Sequence, residues 1–471
     1  MQVSSPRHGI TTHRSRTRAR ALVASSLVVA LAVLAGSTAS ASVPAERAHH
    51  HRAKVHKVKV DPRLFGLHDA NLTSLSRPST RSIRLWDTGT RWDQMQSTNG
   101  PVSFTRLDQI VRDAWDNHTE VTFVAAMTPS WALADPTAPD GIHPANTYPP
   151  SATAYATFLR SVMARYKNYR GSGRPGIANY QVWNEANITT FWNGTPGQLA
   201  QLVRTAYGVR NATDPKVRLI APAMVTRLRY QQKWISAFYR VKVAGTPVWK
   251  YVDAISLNLY PTDFVATKHG KRVSTPEDSM ALLSSVRGRL AKDKVPASVP
   301  IWNTEVNYGM GRTATVARIS EARQVANVMR TYLLNAARGV KRVDWYAYDM
   351  GIQPGGGTLG NTLMTNPADQ AAGTLTRAGV AFTRVQGWMK GTMVGTRTKQ
   401  PCITDKHGTY TCLIKYRHGV GRVYWNPYHS AKVRLVKSAK KKINQYGTSK
   451  RARGGSKLKV TYMPVLVRSK K

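Results

Sequence analysis

The chain predicts an α/β fold: a parallel (β/α)8 barrel of the TIM type, followed by a small β-sandwich-like domain. Three observations carry this. Eight apolar, β-branched or aromatic stretches recur between residues 64 and 348, stretches with helical periodicity separate them, and past residue 391 the helical texture gives way to short strands and turns. A doubly wound open sheet shares the alternation, but no glycine-rich fingerprint follows the first strand, and the count of eight decides for the barrel.

The N-terminus reads as an export signal, residues 1–41. Arg14, Arg16, Arg18 and Arg20 precede an apolar run over 21–36, and Ala39-Ser40-Ala41 supplies a small-residue cleavage site. The run is short for a bilayer core of about 30 Å, with an uncleaved anchor as the alternative. No later segment has the length and freedom from charge of a membrane span, so a secreted, extracellular protein is expected. Residues 42–60 are rich in Lys, Arg and His and read as a disordered basic leader. His49, His50, His51 and His56 lie there without anything to fix a coordination geometry.

The barrel is expected over 61–391, with strands at 64–67, 82–86, 121–127, 179–183, 217–222, 252–259, 299–303 and 342–348. Helical patterns lie at 154–166, 198–209, 281–290 and 321–337, and a last helix at 368–389. In 321–337, Val325, Val328, Met329, Tyr332 and Leu333 fall on one face. Residues 392–471 form the β-domain. Within it Cys402 and Cys412 flank a turn and are expected to be disulfide-bonded in an oxidising compartment. With 42% hydrophobic residues the chain has ample core material, which excludes disorder as its main state.

The formal net charge is +45, from 69 Lys plus Arg against 24 acids. Basic residues occur in every segment, and export argues against a genomic partner, so specific nucleic-acid recognition is not expected. A basic surface set by habitat and attraction to an anionic polymer, such as an acidic polysaccharide, both remain open.

Barrel active sites are built where the strands stop. Glutamates are scarce: Glu46, Glu120, Glu185, Glu277, Glu305 and Glu321. Two of them close aromatic-rich strands, Glu185 after Tyr180-Gln181-Val182-Trp183-Asn184 and Glu305 after Ile301-Trp302-Asn303-Thr304. The ends of a fourth and a seventh strand face each other across the mouth. Glycosidic bond cleavage wants that arrangement, with one carboxylic acid to protonate the leaving oxygen and an opposed carboxylate to attack or to activate water. Trp131 and His68 are candidate substrate contacts, as are Asp69 and Asp349; each could equally be a buried structural residue. The loop 135–150 is long enough to wall a cleft. Outside the leader no metal-ligand spacing occurs, and hydrolysis by two carboxylates needs no cofactor, so neither is expected.

Trp183-Asn184-Glu185 resembles the fourth-strand Asn-Glu motif of clan A glycoside hydrolases, and the stretch through Ala186-Asn187 to Phe191-Trp192 looks most like family 39 and its secreted bacterial relatives. The likeness spans roughly residues 64–390 as architecture. It implies a retaining double displacement with Glu185 as acid/base and Glu305 as nucleophile. It also implies that Asn184 meets the sugar 2-hydroxyl, that Arg84 keeps the nucleophile ionised, that Tyr260 contacts the nucleophile and that Trp345 is a sugar platform. One position departs: Asn258 stands where the clan often has His. Poly- or oligosaccharide, an anionic one among the options, is the implied substrate. A catalytically silent polysaccharide-binding barrel and a transglycosidase using the same residues are the competing readings.

Overall fold

The computed structural model describes residues 56–69, 80–171, 176–268, 270–308, 319–348, 375–395 and 400–470. The export signal, most of the leader and Asp349 lie outside the described residues.

Eight parallel strands close into a barrel: β1 (Phe65–Leu67), β2 (Ser82–Leu85), β3 (Glu120–Ala125), β4 (Asn179–Val182), β5 (Arg218–Val225), β6 (Ala254–Asn258), β7 (Ile301–Val306) and β8 (Val343–Trp345). Neighbours pair in register, as in Ile83 with Val121 and Thr122 with Asn179, and β8 returns to β1 through Val343 with Phe65 and Trp345 with Leu67. Strand β7 runs three residues past its expected end, so Glu305 is paired with Asn258 of β6 across a register irregularity.

Among the described residues each strand from β2 to β8 is followed by a long helix: α1 (Thr105–Asp116), α2 (Ala152–Gly171), α3 (Pro196–Thr213), α4 (Arg229–Arg240), α5 (Pro276–Lys292), α6 (Glu321–Ala337) and α7 (Arg377–Trp388), with a single helical turn, Trp92–Met95, ahead of α1. The link from β1 to β2, 70–79, lies outside the described residues. Helix α3 starts where its sequence says: Thr195 Oγ1 accepts from the Gln198 amide at 3.1 Å, Gln198 Oε1 accepts from the Thr195 amide at 2.8 Å, and Pro196 fills the first turn. Helix α6 has its expected bounds, and all five residues of its predicted apolar face are fully buried. Helix α7 begins at Arg377, later than expected, because Thr376 caps it by accepting from the Gly379 amide.

Opposite the mouth, charge seals the barrel. Glu120 accepts from Arg342 at 3.0 Å, Arg63 at 3.1 Å and Asn179 at 2.9 Å. A cavity of about 890 Å³ lies at this end, lined by Asp61, Arg63 and Glu120 among others, on the face where barrels keep stability rather than chemistry. Above it, Gly66 lets Asp344 into the interior: a Cβ there would stand 1.9 Å from Asp344 Oδ1.

The C-terminal domain consists of β9 (Thr392–Val394), β10 (Cys402–Thr404), β11 (Tyr410–Tyr416), β12 (Gly419–Trp425), β13 (Ala431–Arg434), β14 (Ala439–Ile443), β15 (Ser449–Arg451), β16 (Lys457–Val460) and β17 (Val465–Ser469). Its main antiparallel sheet runs β9-β11-β12-β17-β14-β15, with β10 on β11. Strands β13 and β16 form a separate ribbon that packs Val433, Leu458 and Val460 against Tyr424 and Val467 of that sheet. Cys402 and Cys412 are bonded as cross-strand partners. The domain is seated on the barrel through a buried knot in which Glu277 accepts from Arg330 Nε at 3.0 Å and from Trp425 Nε1 at 2.8 Å.

One expectation needs correction. The leader was expected to run disordered to residue 60, but Lys57–Lys59 is an edge strand paired with β9, Lys57 opposite Val394 and Lys59 opposite Thr392. The alternation Lys57-Val58-Lys59 has the period of a one-sided strand, which a charge count overlooks.

Candidate active site

The two glutamates are set by different local devices. Glu305 rides on β7, is 6% exposed and needs only the strand to point it inward. Glu185 stands on a turn just past β4 in which Trp183 (φ +80°) and Glu185 (φ +40°) take left-handed backbone conformations. Such conformations cost about 1–3 kcal/mol each and persist only where surroundings enforce them. Here Trp183 Nε1 donates to the Phe191 carbonyl at 2.6 Å, its ring packs 4.9 Å from Trp192, and Asn187 bonds the Val225 amide and carbonyl, each at 2.8 Å.

Arg84 rises from β2 through the barrel axis, fully buried. Its guanidinium donates to Glu305 Oε1 at 2.7 Å, Asn184 Oδ1 at 2.7 Å and Gln181 Oε1 at 2.6 Å. Tyr260 donates its hydroxyl to Glu305 Oε2 at 3.2 Å. From Gln181 a chain of polar contacts continues through Ser256 (2.6 Å) and Thr304 (2.6 Å) to Asn258 (2.8 Å), whose Nδ2 donates to Glu185 Oε1 at 2.8 Å. The two carboxyls are thus joined by one buried network. His68 Nε2 donates to the Thr304 carbonyl at 2.9 Å. Burial, with Arg84 beside it, holds its ring well below the usual imidazole range, and it is therefore neutral.

Electrostatics distinguish the pair. Burial pushes both carboxyls up, Glu305 to about 8, and the negative charges of Glu185 and Asp87 act in the same direction on it. Two ionised carboxylates are costly in one buried site, so the pair retains a proton through the neutral range. Their contacts differ: Glu305 receives the Arg84 guanidinium and the Tyr260 hydroxyl, which favour its anion, whereas the hydrogen bond to Glu185 comes from the neutral Asn258 amide.

Sequence reasoning did not find four members of this site. Arg227, just past β5, lies over the Tyr260 ring at 5.6 Å and its charge favours the ionised form of Glu185. Asp87 accepts from Tyr346 Oη at 2.6 Å, and the Tyr346 ring stands 5.1 Å from His68. Gln181 links Arg84 to the network. The signal for Tyr346 was strand parity. Asp344 points inward, so Trp345 faces the helices: its ring is 6.2 Å from Tyr308, whose hydroxyl meets Ser279 at 2.8 Å, and it is 1% exposed. Trp345 therefore offers no open face as a sugar platform, and the half-buried Tyr346 occupies the inward position. Trp131, half-buried just past β3, packs against Trp92 with its Nε1 on the Gln96 carbonyl at 3.0 Å.

Beside Glu185 opens a cavity of about 800 Å³, lined among others by Trp192, Asn193, Arg227, Tyr230 and Trp234. Glu305, Arg84 and Tyr260 do not line it. Among the described residues no group of three or more His, Cys, Asp or Glu side chains could hold a metal ion, and no helix is long and apolar enough to cross a membrane.

Fold and site together define a (β/α)8 barrel with an appended β-domain and a carboxyl pair at its C-terminal mouth. Solved structures share that architecture. A family 39 glycoside hydrolase from the gut symbiont Bacteroides cellulosilyticus WH2 superposes with a TM-score of 0.62 at 16% identity, over 87% of this chain and 81% of that one. A monomeric beta-xylosidase from Caulobacter crescentus CB15 gives 0.60 at 15%, over 88% and 97%. An alpha-L-arabinofuranosidase from Thermotoga maritima gives 0.60 at 11%, over 88% and 98%. The chain thus has the fold of clan A glycoside hydrolases, with family 39 among its structural neighbours. No family model and no curated protein matches its sequence.

Proposed function

We propose that this protein is an exported retaining glycoside hydrolase with Glu305 as nucleophile and Glu185 as acid/base. The observation that carries this reading is the asymmetry of the contacts: Glu305 receives the Arg84 guanidinium and the Tyr260 hydroxyl, whereas buried Glu185 receives the neutral Asn258 amide, a setting that suits Glu305 to the anion and Glu185 to the acid. The glycosidase fold of the structural neighbours supports it. Export rests on residues 1–41 and agrees with the disulfide.

In the first step a Glu305 oxygen attacks the anomeric carbon. The bond to the leaving oxygen breaks, its electron pair stays on that oxygen, and Glu185 gives it a proton. In the second step Glu185, now a carboxylate, takes a proton from water, whose oxygen attacks the anomeric carbon and frees Glu305. Asn184, its Oδ1 fixed by Arg84, has its amide hydrogens left to donate to the sugar 2-hydroxyl. The cavity on the Glu185 side, away from Glu305, is where the leaving group would sit.

The test is hydrolysis of a panel of aryl β-glycosides and polysaccharides by wild type, Glu185→Gln and Glu305→Gln. Cleavage lost in both variants supports the pair, and azide rescue of Glu305→Ala with inverted product identifies the nucleophile. Full activity in either variant overturns it. Binding without cleavage by wild type would indicate a silent polysaccharide-binding barrel, and products longer than the substrate would indicate a transglycosidase.

A further inference from the structure

The positive charge of this chain is not evenly distributed. Residues 392–471 hold twenty Lys and Arg against one acid, Asp405, whereas residues 61–391 hold 39 against 22. That single carboxylate is committed to its own turn, accepting from the His407 and Thr409 amides at 2.8 Å each. Nothing acidic in the β-domain is left to balance its cations.

Their placement is as telling as their number. In the ribbon of β13 and β16 the apolar residues face the sheet, so every second residue faces water. Those residues are Lys432 and Arg434 on one strand, Lys457 and Lys459 on the other, all exposed. The register sets Lys432 opposite Lys459 and Arg434 opposite Lys457. Strands β14 and β15 repeat the arrangement with Lys441 opposite Arg451. Like charges directly opposite on neighbouring strands destabilise a sheet. A solvated face has no need of them; a face that meets a polyanion does.

We infer that the outer face of the β13–β16 ribbon binds a linear acidic polysaccharide bearing carboxylate or sulfate groups. Cations recur about 7 Å apart along each strand and about 5 Å across, which suits an extended chain with repeating charges. The choice of a glycan rests on the proposed hydrolase function and on where the ribbon stands. Its base lies beside Tyr428, stacked 4.7 Å from Arg272 just ahead of α5, and Tyr462, stacked 4.6 Å from Arg323 in the first turn of α6. Helices of a βα unit begin where the preceding strand ends, so the ribbon springs from the side of the barrel mouth. Polymer held there lies at the same end of the barrel as the carboxyl pair.

The test is titration of the full chain with polygalacturonate, dextran sulfate, neutral dextran and duplex DNA, at rising salt. One variant replaces Lys432, Arg434, Lys457 and Lys459 by Gln; a control of equal net charge replaces the exposed barrel residues Arg112, Arg160, Arg204 and Lys292 by Gln. The acidic polysaccharides are expected to bind with an affinity that salt weakens, the ribbon variant to lose at least about tenfold, and the control less than about threefold. The ribbon variant should also melt higher than wild type, because a cross-strand repulsion is gone, which shows that it is folded. The two polysaccharides distinguish carboxylate from sulfate as the recognised group. Equal losses in both variants, binding to neutral dextran as tight as to either polyanion, or tighter binding to DNA than to both would each overturn the inference. These readouts need no turnover, so they stand apart from the fate of the hydrolase reading.

Discussion

Asn258 holds Glu185: its Nδ2 donates to Glu185 Oε1 at 2.8 Å while its Oδ1 accepts from Thr304 at 2.8 Å, which fixes the amide in that orientation. The residue that departs from the clan's frequent His is thus the one that touches the proposed acid. Its hydrogen bond and the charge of Arg227 both stabilise the Glu185 anion, against the burial that raises it. Replacing either residue should therefore make Glu185 hold its proton more tightly. Asn258→Ala is expected to move the alkaline limb of the kcat/KM profile to higher pH and to lower the maximum by roughly ten- to a hundredfold. Arg227→Gln should move the limb the same way by less. An alkaline limb that stays fixed or moves down in Asn258→Ala would contradict the contact.

The two carboxyls titrate together, and each one's charge raises the other. In Glu305→Gln the negative neighbour is gone and Arg84 has no anion of its own, so Glu185 should release its proton at lower pH than in wild type. Carboxyl 13C NMR of selectively labelled Glu185 measures this directly. A midpoint unchanged or higher in the variant would mean that the proton was not shared.

Asp344 is a further buried carboxyl, pushed up to about 7 by burial, with its Oδ1 unpaired among the described residues. A folded-state value above the ordinary one of about 3.8 means that the folded protein binds this proton when the unfolded chain has lost it. Stability is then present at low pH and falls as pH rises between about 4 and 7, by about 1.4 kcal/mol per pH unit for one proton. In Asp344→Asn that slope should be shallower by about one proton, read from denaturant midpoints at pH 5 and pH 8. The same slope in both proteins would refute it.

The junction between barrel and β-domain depends on Glu277, which pairs with buried Arg330 and accepts from Trp425. Glu277→Gln leaves the guanidinium uncompensated and should destabilise by about 3–5 kcal/mol. Trp425→Phe, losing one hydrogen bond to a carboxylate, should cost about 1.5–3 kcal/mol. Thermal or urea unfolding followed by Trp fluorescence orders the two, and the reverse order would indicate that packing rather than the ion pair holds the seam.

Much of this was legible because it depends on period and on strand ends. The eight strands and helix α6 follow from apolar spacing, and Glu185 and Glu305 stand out because glutamates are few. The unread parts share a cause. Trp345 and Tyr346 are neighbours, and which one faces inward turns on a parity that a short apolar run does not reveal. Arg227 and Asp87 lie in loops, where no periodicity points to the mouth. The turn at Trp183 and Glu185 holds no glycine to announce its left-handed backbone. Lys57–Lys59 looked like part of a charged tail because its partner lies more than three hundred residues away.

That pairing brings the entry and the exit of the barrel together. The segment entering the barrel and the segment leaving it are adjacent strands of one sheet, tied further by the Gly395 amide on the His56 carbonyl at 2.7 Å. Cutting after residue 391 would strip the incoming strand of its neighbour as well as removing a domain. The barrel is therefore no excisable cassette.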